Sequence, residues 1–181
     1  MMKRIKSKLV MLVVTLVAGA SVGLAASPNP AADAQTMNKI RKELVTLPYY
    51  GVFDNLAYQV DGDTVTLSGQ VVRPSTRKDA ERRIARIEGV RRVVNNIEVL
   101  PVSQFDDSIR VRTYRAVFRS GSLYRYALGA NPSIHIVVVQ GRVTLEGVVY
   151  NRMDSQLAYM AARGVPGVFA VTNNLRVESR S

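Results

Sequence analysis

The chain of 181 residues has no cysteine and a single histidine, His135, and its 14 acidic residues are outnumbered by 25 lysines and arginines. Without cysteine there is no disulfide to staple a small fold and no thiolate for metal or redox chemistry. One histidine cannot build a transition-metal site alone, and the carboxylates needed to complete it are not clustered. Asp61 and Asp63 flank Gly62 somewhat like a calcium loop, but the remaining ligands and the closing glutamate are missing, so turn chemistry explains them better. No Ser-His-Asp context and no phosphate-cradling glycine loop is present. The expectation is therefore a chain without catalytic residues, metal, cofactor or small-molecule substrate, in which His135 is a structural side chain.

What the chain does contain is one stretch written twice. Val65 to Val99 and Val143 to Val177 align without a gap at a constant offset of 78, with 12 of 35 pairs identical. Each copy opens on Val-Thr-Leu-x-Gly-x-Val (Val65 to Val71, Val143 to Val149). Each closes on Gly-Val, a spaced valine, an Asn pair and a final valine: Gly89-Val90, Val93, Asn95-Asn96, Val99, against Gly167-Val168, Val171, Asn173-Asn174, Val177. Ala80 and Ala158 match between these ends. A repeat of this kind fixes the architecture as two small modules. A unit of about 70 residues buries only about 60% of its unfolded surface, so the two are expected to lean on each other.

Residues 1–25 read as a secretory signal peptide. Met1 to Lys8 is basic, Leu9 to Ala20 is apolar, and Gly23 and Ala25 provide small residues for cleavage before Ala26. The alternative is an uncleaved anchor, since Leu9 to Ala26 reaches the lower length limit for a membrane span. Lys3, Arg4, Lys6 and Lys8 carry four of the formal +11 charges, so the rest of the chain retains +7 and favours an acidic partner. Export removes nucleic acid as an everyday partner. Residues 26–34, with Pro28 and Pro30, read as a flexible lead-in.

Within the first module (residues 35–102), Met37, Ile40, Leu44 and Leu47 form the stripe of an amphipathic helix that Pro48 ends. Leu56, Tyr58 and Val60 alternate as a strand, Asp61-Gly62 signals a hairpin, and Val65 to Val71 returns. Gly69, on the apolar face, implies close approach of another backbone, expected to be a helix crossing the sheet. A second helix follows from Pro74, with Ala80, Ile84 and Ile87 buried, and Gly89 at its left-handed end. Val93, Ile97 and Val99 complete a third strand. The second module (residues 103–179) repeats this order. Asp106, Asp107 or Ser108 can cap its first helix, expected over Asp107 to Ser120 and extending toward Tyr126. Ile134 to Val139 and Val143 to Tyr150 form its hairpin, Asp154 to Arg163 its second helix, and Phe169, Val171, Leu175 and Val177 its last strand. Gly147 and Gly167 are the structural counterparts of Gly69 and Gly89. In this copy Val137, Val139, Val148 and Tyr150 face outward, so the outer face of the sheet is expected to be covered by the first module or a partner.

With these motifs in place, the chain resembles the BON family (bacterial OsmY and nodulation domain), as two tandem copies. The resemblance implies an α+β fold: two αββαβ modules, each a small mixed three-stranded sheet with two helices on one face. It also implies an exported periplasmic protein linked to the cell envelope and osmotic stress, peripheral to the outer membrane in some members. Some such proteins bind anionic phospholipid through the first helix of the second module. The chain lacks the cysteine of lipid-anchored members. The αββαβ order is shared with KH-type RNA-binding modules, but no Gly-x-x-Gly loop stands between two helices here.

In that helix, Arg112, Arg115 and Arg119 form one basic stripe, with Tyr114 and Phe118 interleaved and Arg110, Phe105, Tyr124, Arg125 and Tyr126 nearby. Arginine meets lipid phosphates and amphipathic rings sit at headgroup depth, so Arg112, Tyr114, Arg115, Phe118 and Arg119 are the candidate lipid-binding residues. A plain solvated helix face over core aromatics has the same pattern. A second basic cluster, Arg77, Lys78, Arg82, Arg83, Arg86, Arg91 and Arg92, is diluted by Asp79, Glu81 and Glu88 and reads as a solvated face with internal charge pairs. The expected function is a non-enzymatic envelope protein on anionic phospholipid surfaces. The alternative is an adaptor or chaperone-like factor that docks an envelope protein on the outer sheet face of the second module.

Overall fold

The computed structural model describes residues 30–129 and 131–178, with side chains from residue 34 onward. The expected signal segment lies outside the described residues. Helix α1 (Pro30–Val45) begins inside the stretch read as a lead-in; proline is tolerated in a first helical turn, where its missing donor would have had no partner. It is followed by β1 (Asn55–Asp61), β2 (Thr64–Val71), α2 (Pro74–Ile84) and β3 (Arg92–Val99). The second module contributes α3 (Gln104–Phe118), a 3-10 helix (Gly121–Ala127), β4 (Ile134–Val139), β5 (Arg142–Val149), α4 (Arg152–Arg163), β6 (Ala170–Asn173) and β7 (Arg176–Val177). No helix among the described residues is long and apolar enough to cross a membrane.

Both sheets are mixed, as expected. β1 runs antiparallel to β2, and β3 parallel to it. β4 and β5 repeat the hairpin, and β6 and β7 both pair parallel with β5. The last strand of the second copy is thus broken in two at Asn174-Leu175, where β3 of the first copy is continuous. In each module the helices bury their apolar stripes on one face of the sheet. Ile40, Leu44 and Leu47 meet Val65, Leu67, Val71, Ala80, Ile84 and Ile97 in the first core. Ile109 and Val117 meet Ile134, Ile136, Val138, Val143, Leu145, Ala158 and Ala162 in the second. Met37, one turn before Ile40, lies beyond this patch and is exposed.

The repeated glycine of the second strand has a different cause from the expected helix crossing. Gly69 and Gly147 adopt φ +113° and +118°, and an added Cβ would stand 2.1 Å and 2.0 Å from the carbonyl oxygens of Asn55 and Ser133. The crowding backbone is therefore the neighbouring strand end of the same hairpin. In the second hairpin, Gln140 and Gly141 both take positive φ (50° and 73°), the geometry of a tight primed turn. The buried Asp106 carboxylate accepts both of their amides, at 2.9 Å and 2.8 Å, which offsets the unfavourable backbone at Gln140.

The modules meet through the turn between α1 and β1. Ile136 N donates to Val52 O at 2.7 Å, and His135 Nδ1 lies 3.2 Å from Gly51 O. Asn131 Nδ2 donates to Val45 O at 2.7 Å. Val52 and Phe53, from the first module, pack against the second core. Asp54 pins this turn, because its buried carboxylate accepts from Val72 N at 2.7 Å and Gly51 N at 3.0 Å. The outer face of the second sheet is consequently half covered. Val137 is buried and Val139 half-buried near Leu100 and Pro101, whereas Val148 and Tyr150 remain exposed.

Candidate functional site

Helix α3 is set by its amino-terminal cap and by two inward polar side chains. The cap is Ser103, whose hydroxyl accepts from Asp106 N at 3.2 Å; the expected caps Asp106, Asp107 and Ser108 all lie inside the helix. Asp106 is drawn inward to the hairpin turn. Arg110 is buried as well: it pairs with Asp107 and donates to Val138 O at 2.8 Å, satisfying the edge of β4. Arg110 thus does not belong to the basic surface, because an exposed place would leave that edge carbonyl unpaired.

Arg112, Arg115 and Arg119 are exposed on one side of the helix, the last at its carboxyl-terminal cap. None of the three forms an ion pair among the described residues, where Arg82, Arg83, Arg91, Arg110 and Arg125 all do. The interleaved aromatics have another task. Tyr114 is half-buried and Phe118 is 6% exposed. Their ring centroids are 4.8 Å apart, and Phe53 of the first module meets Tyr114 edge-on at 6.3 Å. Apolar side chains reach solvent at both ends of the stripe: Phe105 and Phe169, in contact with each other, near Arg112, and Val111, Tyr124 and Leu128 toward Arg115 and Arg119.

Tyr124 and Leu128 belong to the connection between first helix and first strand, which is longer in the second copy (119–133) than in the first (46–54). There the sequence expectation of a continued α-helix fails: α3 stops at Phe118, and a 3-10 turn begins at Gly121 with φ +53°. The segment is held by Asp154, near the start of α4. Its buried carboxylate receives Tyr126 Oη, Arg125, Ser122 Oγ (3.2 Å) and Asn151 Nδ2 (3.0 Å). Burial works to raise the Asp154 pKa, but the hydrogen bonds from Tyr126 and Arg125 prevail and hold it below the usual carboxylate range. Burial, then Asp154, raise the Tyr126 hydroxyl, which also accepts from Tyr150 N at 2.9 Å. Arg125 lies over the rings of Tyr126 and Tyr150, so this basic residue is spent on the fold.

Together these elements border an open groove of about 940 Å³. Phe53, Val111, Tyr114, Ala127 and Pro132 contribute its apolar walls, and Arg115 and Arg119 line it beside Tyr124 and Leu128. The 49–54 turn that supplies Phe53 carries little signal in the sequence. Its one signal is the run Tyr49-Tyr50-Gly51-Val52-Phe53, apolar without a helical or strand period.

In the first-module cluster Arg82 pairs with Asp79, Arg83 with Glu43 and Arg91 with Asp63, whereas the exposed Arg77, Lys78, Arg86 and Arg92 form no ion pair among the described residues, so the acidic neighbours dilute this cluster only in part. Gly89 (φ +90°) and Gly167 (φ +88°) take the expected left-handed conformation after the second helices. His135 lies at the module junction against Tyr50, with ring centroids 5.5 Å apart, and burial lowers its pKa. Among the described residues no group of three His, Cys, Asp or Glu could hold a metal ion.

Two αββαβ modules in tandem, each a small mixed sheet with its helices on one face, define the class. The BON domain model matches residues 32–101 and again 106–179, and the chain belongs to the BON domain family. Among solved structures, the chain is similar to the C-terminal domain of CdsD, the structural protein of the type III secretion system of Chlamydia trachomatis. Identity is 10% and the TM-score 0.33, over 79% of this chain and 97% of that one. A second structure of CdsD gives 9% identity and a TM-score of 0.32, over 80% and 92%. No curated protein matches the chain in sequence.

Proposed function

We propose that this chain is a non-enzymatic protein of the bacterial cell envelope that docks reversibly on anionic phospholipid surfaces through α3. The observation that carries the reading is the alignment of Arg112, Arg115 and Arg119, exposed and without carboxylate partners among the described residues. Each basic residue near such a surface contributes about 1 kcal/mol, so three supply about 3 kcal/mol, a factor of about 150 in partition. That strength suits peripheral, salt-sensitive attachment and falls short of an anchor. Tyr114 and Phe118 support the surface from beneath. The basic, apolar and small-residue order of residues 1–25, read as an export signal, supports a periplasmic place.

The test is co-sedimentation of the chain from Ala26 with neutral and anionic vesicles, at low and near-physiological salt. The Arg112→Glu, Arg115→Glu, Arg119→Glu variant, with an unchanged circular dichroism spectrum, is the comparison. Binding to anionic vesicles alone, lost in the variant and weakened by salt, supports the proposal. Equal indifference to both vesicle types rejects it. Attention then passes to the adaptor reading, for which the open half of the second sheet, at Val148 and Tyr150, is the remaining surface.

A further inference from the structure

Resting on that reading, we infer that the 3-10 segment is the part of the protein that enters the bilayer interface, with Tyr124 and Leu128 as its inserting side chains. The segment is longer than its counterpart in the first module and is built around alternation. Leu123 and Tyr126 turn inward and are buried in the second core. Tyr124 and Leu128 turn outward, 62% and 66% exposed, and neither is needed to close that core.

The Asp154 clamp fixes this arrangement. With Ser122, Arg125 and Tyr126 all held on one carboxylate, the outward residues are displayed from a rigid base. A rigid base lowers the ordering cost of binding.

Charge decides what the pair meets. Arg115 and Arg119 line the same groove and lack carboxylate partners, so an anionic surface is favoured at the spot where apolar side chains protrude. A tyrosine beside a leucine, next to arginines, is the arrangement that places a ring at headgroup depth and an aliphatic chain just below it. The arginines then supply attraction and the 3-10 segment supplies depth.

The absence of tryptophan from the chain makes the test direct. Tyr124→Trp and Leu128→Trp, made singly, each install one reporter on an exposed position. Vesicles of phosphatidylcholine with and without phosphatidylglycerol, carrying brominated acyl chains, are the probe. The expected result is a blue-shifted emission quenched by bromine in both variants, on phosphatidylglycerol vesicles only. A Tyr124→Ser, Leu128→Ser double variant should melt like the native chain yet partition about tenfold more weakly. If the native chain binds these vesicles, but neither reporter shifts and the double variant binds equally well, the insertion is wrong and docking through the arginines stands. If the native chain does not bind, the insertion falls together with the docking.

Discussion

Gly147→Ala tests whether the repeated glycine is a steric necessity of the hairpin. An alanine Cβ at this position would lie 2.0 Å from the Ser133 carbonyl oxygen and 3.1 Å from its carbon. A comfortable C···O approach is about 3.3 Å, so the strand ends must separate by about 1.3 Å. That carbonyl accepts from Val148 N at 3.0 Å, and losing the bond costs about 1 kcal/mol. Adopting φ +118° with a side chain adds about 1–2 kcal/mol or more. Displacing Ile134, wholly buried in the second core, adds about 1 kcal/mol through imperfect repacking. The sum is about 3–4 kcal/mol, a large fraction of the roughly 5–15 kcal/mol that stabilises a domain. Gly89→Ala is the control, because its φ is +90° while nothing lies within 4 Å of the added Cβ; about 1–2 kcal/mol is expected there. Urea unfolding followed by circular dichroism measures both. Equal losses in the two variants would refute the close-approach argument and leave only the backbone conformation as the reason for glycine.

Asp106→Ala deprives the Gln140 and Gly141 amides of their acceptor and should cost about 2–3 kcal/mol, with Asp106→Asn losing less; thermal melts of both decide, and no loss would mean the turn holds itself. Phe53→Ala should destabilise the second module, although the residue belongs to the first, by about 3 kcal/mol; an effect confined to the first module contradicts the shared core. His135 and Asp54 give opposite pH slopes. Burial lowers the His135 pKa, so the unfolded chain takes up the proton first and stability falls as pH drops through about 6.5. Burial raises the Asp54 pKa, so its contribution is present at acid pH and is lost as pH rises through the raised value. Melts of a His135→Asn variant should lack the drop just below neutrality; an unchanged profile would show that the junction does not exclude the proton.

The repeat and its period made most of the fold legible. Val65, Leu67 and Val71 against Ile40 and Ile84 are buried as the alternation and helical stripe require, because these patterns report a single apolar face directly. The misreadings share a cause, which is that tertiary partners are invisible along the chain. Arg110 has the spacing of a surface arginine but is drawn inward by an unpaired carbonyl of β4. Asp106 and Ser103 compete for the cap, and the more distant demand of the Gln140-Gly141 turn takes the aspartate away. Tyr114 and Phe118 are legible as a helix-face pair, but their cover, Phe53, comes from a turn 61 residues earlier with no periodic signal.

The differences between the two copies point to where function was added. Position 154 corresponds to position 76 by the constant offset of 78, and the two residues behave differently. Thr76 is buried with its hydroxyl unpartnered, a small polar side chain under a bare helix start. Asp154 holds four side chains at the same place, and Asn151 caps α4 where Arg73 gives α2 no side-chain cap. A clamp of this kind is unnecessary for the αββαβ fold, since the first module closes its core without one. Its effect is to fix the 3-10 segment, and with it Tyr124 and Leu128, beside the arginines of α3. If the segment served only to fill space, Asp154→Ala would lower stability and leave vesicle partition of the remaining folded protein untouched. If it displays a membrane-reading surface, the same variant should lose partition at temperatures well below its melting point, because the outward residues are no longer held in register with Arg115 and Arg119.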